Sequence, residues 1–139
     1  MTRIARISAI AVVLGIAACT AGPTSTPVRS LASPVAVARA LFDAMNRGDM
    51  SLAASYWAPD ASGRFARNVP PPNEFQNVTC HSGPRFNGEP GDTDTDAGVS
   101  CEFEIREMWG GFEAGHSQWG VFLRRQAPGP WQLYEWGQG

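Results

Sequence analysis

Lysine is missing from this chain, and all eleven of its basic side chains are arginine. Without a lysine amine there is no Schiff-base chemistry and no P-loop lysine to reach a nucleotide phosphate. Set beside abundant Ala, Gly and Pro, the bias points to a high-G+C bacterial genome rather than to a chemical need. Histidine is almost as scarce, with His81 and His116 alone, and cysteine occurs only at positions 19, 80 and 101. These five residues fall at no finger-like spacing, so no metal site or cofactor is expected. Long apolar runs are lacking too. The longest, Ile7–Ala18, is well short of the roughly 20 residues a spanning helix needs.

That short run is informative for where it sits. Arg3 and Arg6 precede it, Ser8 and Gly15 interrupt it, and Ile16-Ala17-Ala18-Cys19 follows. A basic head, an apolar stretch and a small-residue cleavage site make a secretory signal. The last four residues resemble the lipobox of bacterial lipoproteins, in which the cysteine is alkylated with diacylglycerol and becomes the first residue of the mature chain. The alternatives are a membrane anchor and an ordinary signal cleaved elsewhere, for instance after Ala21. The resemblance implies lipidation at Cys19 and a membrane attachment on the extracytoplasmic side. Two or three acyl chains, at about 0.8 kcal/mol per buried methylene, would hold the protein firmly. Thr20 after the cysteine is compatible with an outer membrane if the host has one.

Removing residues 1–18 leaves nine arginines against thirteen acidic side chains, a net charge of −4. That balance argues against nucleic acid and against a polybasic membrane surface. Cys80 and Cys101 remain as an even pair in an exported chain and are expected to bond; two buried free thiols are the alternative.

Residues 19–33 form a lipidated cysteine and a Ser/Thr/Pro tether without hydrophobic periodicity. As a flexible chain it would reach about 20 Å on average. The globular part, 34–139, opens with a helix over 34–47. Ser33 suits its N-cap, Pro34 its first position, and Gly48 its left-handed end. Val37, Ala40, Leu41, Ala44 and Met45 give it one apolar face. Asp49 caps a second short helix through Trp57, closed by Pro59. After residue 60 the period turns to alternation. Strands are predicted over Glu74–Cys80, along Val99–Ile105, along Trp119–Leu123 and over Trp131–Trp136. The last carries large residues on both faces and is expected to lie centrally. The final three strands form an antiparallel meander, and the Cys80–Cys101 bond would pin the base of a long loop, 81–97.

Two helices followed by a curved antiparallel sheet, the run Ala40-Leu41-Phe42-Asp43-Ala44-Met45-Asn46-Arg47-Gly48-Asp49, the stretch Ala53–Ala61 and the strand Trp131-Gln132-Leu133-Tyr134 together resemble the NTF2-like (cystatin-like) superfamily over roughly 34–136. Small actinobacterial-type envelope lipoproteins are among its members. The resemblance implies an α+β fold and no particular activity, because this superfold hosts isomerases, dehydratases, transport factors and binding domains.

In the isomerase and cyclase members catalysis resembles proton abstraction by a strand Asp beside a Tyr or His. Here no Asp falls in a predicted strand, and Tyr56 has no evident acidic partner. An enzyme of that kind would need a buried Asp or Glu within reach of Tyr56 or His116. Serines beside the two histidines, Ser82 and Ser117, alternate onto the opposite strand face and make no nucleophile–base pair. No catalytic residue is therefore assigned. The run Asp92-Thr93-Asp94-Thr95-Asp96-Ala97-Gly98 opens like a calcium loop, but Ala97 stands where glycine belongs and Phe103 where the bidentate Glu belongs. It reads as a solvated acidic loop. The Arg47-Gly48-Asp49 tripeptide sits at a helix break, where Gly and Asp have structural roles.

Five tryptophans and seven phenylalanines are many for so small a domain. They either fill the core or line a cavity for an apolar small molecule or lipid. Tyr56, Trp57, Phe103 and Trp119 are the expected lining. Trp109 and Phe112, beside Gly110-Gly111, offer instead an exposed patch for an envelope or secretion partner. The expectation is a non-enzymatic, lipid-anchored binding module.

Overall fold

A computed structural model of the chain describes residues 33–67 and 69–138. The signal segment, Cys19 and the tether up to residue 32 lie outside the described residues, and so does the lipidation expected there. Among the described residues no helix is long and apolar enough to cross a membrane.

Helix α1 spans Pro34–Asn46. The Ser33 hydroxyl accepts from the Ala36 N–H at 3.2 Å, satisfying one of the N–H groups that a helix start leaves without a partner. Gly48 ends the helix at φ 72°, where a side chain would be strained. Helix α2, Met50–Ser55, starts on Asp49, whose Oδ1 accepts from Leu52 N at 3.0 Å. It stops short of Trp57.

Helix α3, Ser62–Ala66, lies where the sequence pattern predicts none. Its N-cap residue, Ala61, makes no side-chain bond, Gly63 sits inside it, and it is only five residues long. Local signals for such an element are weak. Tertiary packing supplies what propensity does not: Phe65 is buried and stacks on Trp57, ring centres 5.9 Å apart.

Four antiparallel strands follow: β1 Phe75–Gly83, β2 Asp96–Ile105, β3 Gly115–Arg124 and β4 Gln132–Gln138. Their order in the sheet is the chain order. The fold is thus α+β, a four-stranded antiparallel meander with helices packed against it. β1 and β2 run further than expected, so their connection is 84–95 rather than 81–97. β4 is an edge strand, not a central one. Its two-sided bulk has another cause, a register shift opposite Phe122/Leu123. Such an extra residue breaks the alternation of faces. It brings both Leu133 and Trp136 opposite inward residues of β3, Leu123 and Val121.

Both sheet edges are occupied, which guards against edge-to-edge pairing. Beside β4, Ala58 N donates to Leu133 O and Leu133 N to Tyr56 O, each at 2.8 Å. Trp57 thereby forms a parallel bridge to Leu133. Beside β1, the Asn46 carboxamide acts as a substitute strand. Its Nδ2 donates to Phe75 O at 2.6 Å and its Oδ1 accepts from Phe75 N at 3.0 Å. Arg39 donates to Cys80 O at 3.2 Å.

Cys80 and Cys101 face one another in register and are disulfide-bonded, with Cα atoms 4.1 Å apart. So close an approach belongs to the non-hydrogen-bonded pairs of an antiparallel ladder. That leaves Cys80 O pointing outward, available to Arg39. The bond sits inside the hairpin, three residues back from the end of β1.

Burial follows the alternation read in the sequence. Val99, Cys101, Phe103 and Ile105 of β2, and Trp119, Val121 and Leu123 of β3, face Val37, Leu41, Phe42 and Met45 of α1. The opposite sheet face is wetter, but not bare. Phe86, from the β1–β2 connection, folds back onto it, 5.1 Å from Phe122 and 6.3 Å from Tyr134.

A candidate ligand-binding cleft

Trp119 is the hub of an aromatic cluster. It is fully buried, and its ring centre lies 4.7 Å from Phe112, 5.1 Å from Trp136, 5.3 Å from Phe103 and 5.8 Å from Phe75. Trp57 joins the cluster edge-on through Trp136, at 5.3 Å. Edge-to-face pairs of this kind add about 0.5–1.5 kcal/mol each beyond the area they bury.

Of the four residues expected to line a cavity, three therefore belong to one packed cluster. Phe103 and Trp119 touch, and Trp57 connects through Trp136. Tyr56 stands apart from these rings, buried, its carbonyl engaged by Leu133 N. Burial pushes its phenol pKa up from 10.0, with Asp43 and Asp49 adding to the shift and Arg47 opposing it. All four are core by burial, and of them Trp119 alone is among the residues around an open space.

That space is a cleft of about 360 Å³ between α3 and the β3–β4 pair. Half-buried Phe112 and Trp136 form its wall over the fully buried Trp119, and Arg64, Arg67 and Glu135 stand around it. Arg64 and Glu135 form an ion pair. Arg67 has no carboxylate within 4.0 Å among the described residues. The two arginines are three apart, which puts them on one side of the short helix. Their spacing was readable in the sequence. The helix that gives it meaning was not, and Trp136 entered the sequence reading only as one aromatic among many.

Several indole N–H groups in this cluster lack acceptors. Trp57 Nε1, Trp109 Nε1 and Trp119 Nε1 are buried, each without a hydrogen-bond partner. An unmet buried donor costs about 1–3 kcal/mol. The cluster is thus rich in donors and poor in acceptors.

The segment after β2 closes one side. Trp109 and Phe112 exchange backbone hydrogen bonds, 3.2 and 2.8 Å, across Gly110 (φ 56°) and Gly111 (φ 90°). Two consecutive residues at positive φ are the signature of a type I′ turn. The turn packs both rings onto Trp119 and leaves Trp109 and Phe112, the expected outward patch, half-buried, with Met108 beside them 75% exposed. Glu74, fully buried, holds the start of this segment. Its Oε1 accepts from Glu107 N at 2.7 Å and its carbonyl from Arg106 N at 3.0 Å.

No carboxylate hydrogen-bonds to Tyr56 or His116 inside the fold among the described residues. His116 is the second residue of β3, an interior strand. It meets Glu104 at 3.3 Å on the wet face, both side chains well exposed. Ser117 turns inward and accepts from Gln138. His81 and Ser82 are exposed near the end of β1. In the acidic loop, Asp92 accepts from Gly98 N, and Thr93 Oγ1 accepts from Asp96 N at 2.9 Å. Among the described residues no three His, Cys, Asp or Glu side chains converge on a common point.

A larger groove of about 730 Å³ runs between Pro59 and the β3–β4 turn. Its charged groups are already engaged. Arg124 pairs with Asp60, holding that exposed carboxyl below its ordinary pKa. Arg125 donates to Asp94 O at 2.8 Å and stacks on Trp131 at 4.4 Å. The smaller cleft is the one with unmet groups. Compared with known proteins, the chain matches no family model, no curated protein and no solved structure.

Proposed function

We propose that this chain is a lipid-anchored envelope protein of NTF2-like fold whose globular part binds an apolar small molecule or lipid without transforming it. The export signal and the Cys19 lipobox carry the location. The Phe112–Trp136 wall of the cleft, backed by the buried Trp119, is the single observation that carries the binding role. A concave site lined by aromatics with a few polar groups at its rim is what small-ligand sites have in common, and about 360 Å³ falls within their size range.

The NTF2-like assignment is supported by the α1–α2 pair with its break at Gly48-Asp49, and by the order of helices before an antiparallel meander. A role as a protein-interaction subunit has one observation in its favour. Phe86 and Met108 are exposed at 55% and 75%, but they come from different segments, so binding of a small ligand is the better reading. An isomerase-like activity would need an acid–base pair facing the cleft.

Two measurements test the proposal. Metabolic labelling with a fatty-acid probe should mark the wild type and leave Cys19→Ala unmarked, and the variant should leave the membrane fraction. Native mass spectrometry of the gently extracted protein should show a retained small molecule that Trp136→Ala loses. An unlabelled wild type overturns the anchor, and an empty wild type that also takes up no added amphiphile overturns the binding role.

A further inference from the structure

The cleft's rim does not suit a wholly neutral ligand. Its charged side chains are Arg64, Arg67 and Glu135, one positive charge in excess, on a chain whose net charge is −2. Glu135 already neutralises Arg64. The Arg67 guanidinium lies at the same mouth with no carboxylate within 4.0 Å among the described residues. Below it the wall is aromatic, and Trp119 Nε1 is a fully buried donor without an acceptor. A guanidinium pairs best with a carboxylate or phosphate, whose two oxygens match its fork. A neutral alkane would cover Phe112 and Trp136 and leave the Arg67 guanidinium without a counter-charge.

We infer that the cleft binds an anionic amphiphile, an acyl or aryl chain against Phe112 and Trp136 with an acidic head on Arg67. This rests on the binding role proposed above and names the ligand class for the same site. Arg64 has a different part. Tied to Glu135, it fixes α3 against β4 and so holds Arg67, one helical turn on, at the mouth. Carboxylate and phosphate heads share this chemistry, one found in free fatty acids and the other in phospholipid fragments.

The test uses the full chain in phosphatidylcholine nanodiscs, with empty nanodiscs as reference, titrated by tryptophan fluorescence. The probes are dodecanoate, dodecyl phosphate and dodecan-1-ol. Both anions, or one of them, should bind at least tenfold more tightly than the alcohol, and the tighter one identifies the head. Raising salt from 50 to 500 mM should weaken the anions and spare the alcohol. Arg67→Gln should cost the anions about tenfold while leaving dodecanol affinity and the melting temperature unchanged, and Arg67→Lys should restore part of the loss. If dodecanol binds as tightly as the anions, or Arg67→Gln affects all three alike, the anionic head is refuted while the apolar cleft stands. If none of the probes binds, both readings fall.

Discussion

Breaking the Cys80–Cys101 bond gives the most direct measure of how this fold is held. The two sulfurs close a loop of sequence separation 21 between directly opposed residues of β1 and β2. In the chain-entropy view, removing a cross-link of that span frees the unfolded state by about 3 kcal/mol at 25 °C. Little native structure should be lost with it. Both side chains are buried, the neighbouring ladder supplies the register, and Asn46 and Arg39 secure the outer edge of β1. Alanine is the right replacement, because serine would bury two hydroxyls. A domain of about 100 residues unfolds with an entropy near 2.1 cal/mol/K per residue. The Cys80→Ala/Cys101→Ala variant should therefore melt roughly 15 °C below the wild type. Thermal circular dichroism of both proteins checks this, with the wild type repeated in reductant. Reduced wild type and variant should melt together, and the native spectrum at 20 °C should be shared. The reasoning fails if the variant melts within about 3 °C of the oxidised wild type. It also fails if both cysteines of the folded wild type react with iodoacetamide before reduction. The outcome bears on the cleft as well. Cys101 lies directly across from Trp119 in the ladder, so loosening β1 from β2 removes support on the far side of the ligand wall.

Three further outcomes follow from named contacts. Asn46→Ala removes both partners of Phe75's backbone at the sheet edge and should cost about 2–4 kcal/mol in urea unfolding; Asn46→Asp, which keeps the acceptor and loses the donor, should recover only part, and a cost under 0.5 kcal/mol would refute the substitute-strand role. Gly98→Ala would place its Cβ 1.8 Å from Pro84 O, a backbone atom that can yield only by lifting the 84–86 segment off the sheet; loss of over 1 kcal/mol and faster proteolysis of the β1–β2 connection are expected, and wild-type behaviour in both would sink the contact. The chain's two tyrosines, Tyr56 and Tyr134, both have pKa values raised from 10.0 chiefly by burial. Folding thus favours their neutral forms, a stabilisation complete below pH 10 and lost as pH rises through the folded-state values. Absorbance near 295 nm should show tyrosinate appearing at higher pH in the folded protein than in the denatured chain, and coincident curves would contradict the burial.

The helix α1, its caps at Ser33 and Gly48, the start of α2 on Asp49 and the inward faces of β2 and β3 were all legible in the chain. Each depends on residues close in sequence, a hydroxyl three positions from an N–H or an apolar side chain at every second position. Parts that depend on distant partners were not legible. α3 forms because Phe65 finds Trp57, and β4 sits at the edge with its alternation broken by a register shift. The hydrogen-bond partners of Phe75's backbone come from a carboxamide 29 residues earlier. The candidate site divides in the same way. Trp119 was identifiable as an inward aromatic of a strand, while the half-buried state of Phe112 and Trp136 in front of it depends on neighbours from distant parts of the chain.

Composition and local order by themselves determined that one pair of cysteines is available to bond and that helices precede strands, and they are the whole basis for proposing an export signal and a lipobox. Which aromatic rings border open space, and which charges stand beside them, was decided by tertiary packing alone. Burial is a property of neighbours brought together from across the chain. Arg67 matters only because α3 sets it at the mouth of the cleft that Phe112 and Trp136 wall.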